Sequence, residues 1–282
     1  MQLDARLRNG MAHAAEDARA AEEVGFDGAW TTENQADPFL PLALAAEHTE
    51  RLLLGPSVAI AFARTPMTVA YLASDLQRYS GGRFALGLGS QVRPHVEKRF
   101  SMPWSRPAAR MRDFVLALRA IWGAWEQGEP LAHRGEFYTH TLMTPAFTPP
   151  ENPYGPPPVL VAAVGPRMTE VAGEVADGLL AHPFLTERYL HDVTVPALEA
   201  GLARRGDGTT LDDFEIGLSA FVALDEADVE AVRRQISFYG STPAYRPVLD
   251  AHGWGDLQTE LNALSKQGRW DEMVGLVEDE VL

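Results

Sequence analysis

No cysteine occurs among the 282 residues. That absence removes disulfides, thiolate metal ligands, iron–sulfur clusters and cysteine nucleophiles together, so redox chemistry in this chain has to come from a cofactor. Lysine is nearly missing as well, with Lys98 and Lys266 the only examples. A formal net charge of −15 repels nucleic acid and anionic membranes, both of which are bound largely through Lys and Arg. No apolar run approaches the roughly 20 residues needed to span a bilayer. The N-terminal stretch carries Asp4, Arg6, Arg8, Glu16 and Asp17 where a secretory signal would be continuously apolar. A cytoplasmic protein that binds neither nucleic acid nor membrane is therefore expected. None of the eight histidines stands in a His-Glu-x-x-His or His-x-His arrangement, so no metal site is expected. There is no Gly-x-Ser-x-Gly elbow, and Glu278, Asp279 and Glu280 read as a solvated helix face.

What is present is a chain with 46% hydrophobic residues, long enough for a sizeable core and read as one domain over 1–282. Strand and helix patterns alternate. A strand over Gln2 to Ala5 precedes a helix carrying Ala14, Ala18 and Ala21. Gly28 to Thr32 leads to a helix beginning at Pro38, Leu52 to Ala61 to one over Pro66 to Tyr79, and Arg83 to Leu88 to one over Ala108 to Trp125, where Trp122 and Trp125 read as core. After a proline-rich loop over Thr144 to Pro158, Val159 to Val164, Arg167 to Ala176, Gly178 to Ala181, Thr186 to Arg205, Phe214 to Leu224 and Glu226 to Tyr239 continue the series. From Thr242 only two amphipathic segments remain. The expected fold is an α/β, (β/α)8 TIM-type barrel with rim insertions whose eighth strand and helix are missing from the given chain, a truncated form or its ordered part.

In such barrels the active site forms at the C-terminal ends of the strands. The residues there are Glu33 and Asn34, Arg64 and Thr65, Gly89, Ser90 and Gln91, Gly165 and Arg167, and His182. Gly87-Leu88-Gly89-Ser90 is neither a dinucleotide fingerprint nor a phosphate-binding P-loop, but its glycines allow a backbone to approach a flat ring or a phosphate. Gly165-Pro166-Arg167 opens a helix whose free N–H groups and Arg167 charge suit an anion. An ordinary helix start with Arg167 facing water fits the residues equally well.

The stretches Gly81-Gly82-Arg83-Phe84-Ala85-Leu86-Gly87-Leu88-Gly89-Ser90 and Leu54-Gly55-Pro56-Ser57-Val58-Ala59-Ile60 resemble the luciferase-like monooxygenase superfamily. The likeness continues through His133-Arg134-Gly135-Glu136-Phe137-Tyr138, Ala162-Ala163-Val164-Gly165 and Ala176-Asp177-Gly178-Leu179. Through Gln91-Val92-Arg93-Pro94-His95 and Ser101-Met102-Pro103-Trp104-Ser105-Arg106-Pro107 it resembles an F420-dependent oxidoreductase subfamily of actinobacterial type. The resemblance implies the deazaflavin coenzyme F420 as cofactor, a non-prolyl cis peptide at Ser57-Val58, and a homodimer. It further implies that Glu33 and Ile60 line the ring, with Ser90 and Gln91 beside it, that His95 lies nearby, and that Val164, Gly165 and Arg167 hold a phosphate.

Two departures bear on mechanism. Where F420-dependent sugar-phosphate dehydrogenases carry a histidine, a glutamate and a phosphate-binding lysine, this chain has Asn34, Val92 and Leu185, which argues against glucose 6-phosphate as substrate. His95, His182 and Glu33 remain as proton-transfer candidates, with His95 first because an imidazole is best poised near neutral pH; a solvent-facing loop histidine is its alternative. The expected activity is hydride transfer between F420 and a small organic substrate. A reduced-FMN-dependent monooxygenase and a non-catalytic flavin-binding barrel are the alternatives.

Overall fold

The expected alternation is present in the computed structural model, which describes residues 1–282. The first half comprises β1 (Asp4–Arg6), α1 (Ala14–Val24), β2 (Gly28–Thr31), α2 (Leu40–Glu47), β3 (Leu53–Pro56), β4 (Ala59–Ile60), α3 (Pro66–Tyr79), β5 (Leu86–Gly89) and α4 (Pro107–Glu126). A hairpin of β6 (His133–Arg134) and β7 (Thr139–His140) leads into β8 (Val159–Ala163), α5 (Pro166–Val175), β9 (Gly178–Ala181), α6 (Glu187–Tyr189), α7 (Val195–Arg205) and β10 (Glu215–Gly217). Four helices close the chain: α8 (Glu226–Gly240), α9 (Arg246–Asp250), α10 (Gly255–Lys266) and α11 (Trp270–Val274).

Helix starts follow local chemistry. Thr65 caps α3 by accepting from the Thr68 N–H, and Asp225 caps α8 by accepting from the Asp228 N–H. At α2 the start slips from the expected Pro38 to Leu40, because the Asp37 carboxylate accepts from the N–H groups of Phe39 and Leu40.

All neighbouring strands of the main sheets pair in parallel, as β1-β2-β3 and β10-β9-β8-β5-β4. β3 and β4 are one strand interrupted by a cis peptide at Ser57-Val58, and Leu54 carries the pairing across to Phe84. The result is seven strand positions in chain order. The two outer strands, β1 and β10, do not pair with each other. Their first residues are close enough to interact: burial raises the Glu215 pKa, and the charges of Asp4 and Asp177 raise it further.

The main core lies between sheet and helices and includes Leu54, Phe62, Phe84, Met111, Phe114 and Trp122. Trp122 and Trp125 are buried in it, as expected. A separate, smaller cluster of Phe184, Tyr189, Val232, Ile236, Val248, Leu249 and Val277 joins the segment after β9 to the closing helices.

Three expectations need correction. The first strand is Asp4–Arg6, displaced from Gln2 to Ala5 by its register with Gly28 to Trp30. The seventh strand is Glu215–Gly217 only, because β10 has a partner on one side alone; Leu218, Val222 and Leu224 are exposed. The hairpin over 133–140 was not expected from the sequence. No helix is long and apolar enough to cross a membrane.

Candidate active site

The register brings the strand ends to one rim. Ile60 pairs with Gly89, Leu88 with Val161, and Ala163 with Ala181, so the residues that follow these pairs emerge side by side. Glu33, the Ser57-Val58 bulge, Ser90, Val164, Gly165 and His182 therefore share the C-terminal face of the sheet, the face where parallel barrels carry their chemistry.

On the α3 side the polar groups are already paired. The Glu33 carboxylate, 7% exposed, accepts from the Arg64 guanidinium at 2.7 Å and from the Ile60 N–H at 2.6 Å. Arg64 also donates to the Ile60 carbonyl and lies over the Phe39 ring. Glu33 is thus the anchor of the interrupted strand, and its second bond reaches the residue directly after the bulge. Ile60 is buried.

The glycines of Gly87-Leu88-Gly89 serve the same bulge. A Cβ at Gly87 would lie 2.0 Å from the Pro56 carbonyl oxygen, and one at Gly89 would lie 2.5 Å from Val58 Cγ2. The close approach they permit is by the chain itself, since the space in front of each glycine is filled by the strand before it. Beyond them, the Ser90 hydroxyl donates to the Gln91 carbonyl, and Gln91 adopts a left-handed backbone with φ of 59°. Its side-chain oxygen accepts from the Val92 N–H.

On the α5 side the groups are free. Gly165 precedes α5 in an extended conformation, and a Cβ there would meet nothing within 4 Å. Arg167 is exposed and forms no ion pair or side-chain hydrogen bond. The Tyr189 hydroxyl donates to the Val164 carbonyl and fixes the approach to this helix start.

His182 lies in an aromatic enclosure. Its ring centroid is 4.6 Å from those of both Tyr239 and Tyr245, and Phe184 packs against the same two tyrosines. Nδ1 accepts from the Phe184 N–H at 3.0 Å, and Nε2 lies 3.2 Å from the Tyr245 hydroxyl. Burial pushes its pKa down to about 4, which favours the neutral imidazole at neutral pH. His95 lies in a π-helical turn over His95–Arg99, exposed and without a side-chain partner. Tyr245 was not anticipated; it meets His182 across 63 residues, and no local spacing signals such a pair.

A profile of the luciferase-like monooxygenase family matches residues 2–282. The chain belongs to this family. A Mycobacterium tuberculosis protein described as uncharacterized is 58% identical over 100% of this chain and 84% of its own length. Among solved structures, the coenzyme F420-dependent tetrahydromethanopterin reductase of Methanopyrus kandleri superposes with a TM-score of 0.78 at 22% identity, covering 99% of this chain and 84% of that one. The oxygenating constituent of 3,6-diketocamphane monooxygenase from Pseudomonas putida, in complex with FMN, reaches a TM-score of 0.63 at 16% identity over 91% of this chain and 77% of that one. One fold is thus shared with an F420-dependent enzyme and with an FMN-bound one, and fold alone does not separate the two. An open helix N-terminus with an unpaired arginine fits the phosphate that both cofactors carry.

Two surface hollows lie elsewhere. One of about 550 Å³ runs beside α7 against Thr209 to Asp212, and another of about 650 Å³ lies between Ala43 and Tyr79. Neither is lined by a strand-end residue.

Proposed function

We propose that this protein is an F420-dependent oxidoreductase that transfers a hydride between the deazaflavin and a small organic substrate. The observation that carries the reading is the pairing, on one rim, of an anchored strand bulge with an unpaired Arg167 at an open helix start. When bound, the cofactor supplies the hydride chemistry; the protein supplies binding, orientation and electrostatics.

The residues divide that work. Arg167 and the N–H groups at the start of α5 would hold the phosphate, with Val164 and Gly165 forming the floor beneath it. Glu33 and Arg64 keep the Ser57-Val58 bulge in place through the Ile60 amide, so a flat ring would rest against a surface fixed before it binds. His95 is exposed and has no side-chain partner, so it is free to meet a ligand on the rim. F420 is favoured over FMN by the motifs at Gln91 to His95 and Ser101 to Pro107.

The test is a parallel fluorescence titration with F420 and FMN, each oxidised and reduced, on the wild type and Arg167→Ala. Tighter binding of F420, weakened about tenfold or more in the variant, is the expected result, as for loss of one charge-assisted contact. Preference for FMN would replace this reading by a reduced-FMN monooxygenase. Binding of neither would leave a non-catalytic barrel.

A further inference from the structure

The hydrogen-bond pattern around His182 fixes a direction. Nδ1 accepts from the Phe184 N–H, so it carries no proton. A neutral imidazole has one N–H, which must then be on Nε2, and Nε2 faces the Tyr245 hydroxyl at 3.2 Å. The imidazole is therefore the donor and the Tyr245 oxygen the acceptor. A hydroxyl that accepts from its neighbour keeps its own hydrogen to give away, and no protein acceptor takes the one on Tyr245.

Packing and burial reinforce that arrangement. Tyr239 meets the imidazole edge-on at an interplanar angle of 80°, while the Tyr245 ring is tilted to it at 32°, so the imidazole cannot rotate without disturbing both contacts. Tyr245 sits on a short turn, Pro243–Tyr245, between α8 and α9. It is half-buried, and burial, with the nearby Tyr239, pushes its pKa up to about 12. The hydroxyl stays protonated.

We propose that the Tyr245 hydroxyl is the substrate-facing hydrogen-bond donor of this site, selecting ligands that present an acceptor oxygen, with His182 as the positioning residue that aims it. This rests on the reading of the strand-end rim as the ligand site. His182 directly follows β9, as Val164 directly follows β8 at the paired Ala163 and Ala181, so the donor stands beside the phosphate seat rather than within it. An aromatic wall with one fixed donor suits a neutral, largely apolar molecule carrying one carbonyl-type oxygen.

The experiment compares acetophenone with α-methylstyrene, which replaces the carbonyl by a methylene of similar shape, each titrated calorimetrically into the protein with and without F420. The wild type is expected to prefer the ketone about tenfold, the worth of one desolvated hydrogen bond. Tyr245→Phe should abolish the preference while leaving α-methylstyrene binding and F420 binding unchanged. His182→Phe should weaken the preference, and His182→Gln, which retains an N–H near the Nε2 position, should restore part of it. Nitrogen-15 NMR of the imidazole should show Nε2 protonated and Nδ1 bare. A proton on Nδ1, no ketone preference in the wild type, or a preference that survives Tyr245→Phe would each overturn the proposal. Because the ketone comparison is also made without cofactor, failure to bind F420 would remove the proposed function and still leave this donor to be judged.

Discussion

On the α3 side of the rim, Glu33, Arg64 and the Ile60 amide satisfy one another, and a carboxylate that is 7% exposed is held by two short bonds. On the α5 side, Arg167 has no partner, Gly165 faces open space, and the Tyr245 hydroxyl has a hydrogen left to donate. The first arrangement resembles a structural joint and the second a receptor. Buried polar groups that are fully paired contribute rigidity, whereas donors and charges without partners are what a ligand can complete. The two sides should therefore answer differently to the same kind of mutation.

The largest difference is expected between two arginines. Arg64→Ala leaves the Glu33 carboxylate buried without its counter-charge and should cost about 3–5 kcal/mol in urea unfolding. Arg167→Ala, on an exposed and unpaired side chain, should change stability by less than about 0.5 kcal/mol. Similar losses from the two variants would mean that the rim is not divided as described.

Next in size is a dependence on pH from the α5 side. Burial lowers the His182 pKa from 6.5 to about 4, so between these values the unfolded chain binds a proton that the folded chain does not. Stability is fully present above pH 6.5, falls as the pH drops through that window, and levels off below about 4. The loss attributable to this residue is up to about 3 kcal/mol. His140, also lowered by burial with His133 adding, acts in the same direction. In urea melts across the window, His182→Gln should flatten the slope; an unchanged slope would assign the acid sensitivity to other groups.

Much of this contrast could not be read from residue order. The helices over Pro66–Tyr79 and Glu226–Gly240 and the strand Gly178–Ala181 stand where periodicity and turn residues put them, because each is set by local chemistry. The seventh strand was overestimated because its apolar run to Leu224 promises burial that a one-sided pairing does not deliver. The hairpin over 133–140 was missed because its organiser is remote. Asp113 on α4 accepts from His133 Nε2 and from the N–H groups of Phe137 and Tyr138, and a Cβ at Gly135 would lie 1.7 Å from it. Several motifs that carried the family resemblance have such roles. Asp177 accepts from the Val159 N–H, and the carbonyl of Pro103 accepts from Arg110. They identify the scaffold because they build it, and for the same reason they say little about substrate. The rim residues were locatable from strand ends, but whether a polar group is paired depends on partners such as Arg64 for Glu33 and Tyr245 for His182, separated by 31 and 63 residues.

The smallest expected effect tests the claim that the glycines after the bulge belong to the joint rather than to a ligand cradle. Gly89→Ala places a methyl group 2.5 Å from Val58 Cγ2, a clash with a β-branched side chain that has little freedom to turn away. Overpacking of this kind costs about 1–3 kcal/mol. Val58→Ala removes the opposing methyl groups, so the double variant should recover most of the loss and show a favourable coupling energy of about 1 kcal/mol or more in the unfolding cycle. Additive losses would mean that the two residues do not share this space. A Gly89→Ala protein of wild-type stability with weakened cofactor binding would instead return the glycine to the receptor side, and the boundary between joint and receptor would move from Gln91 back into β5.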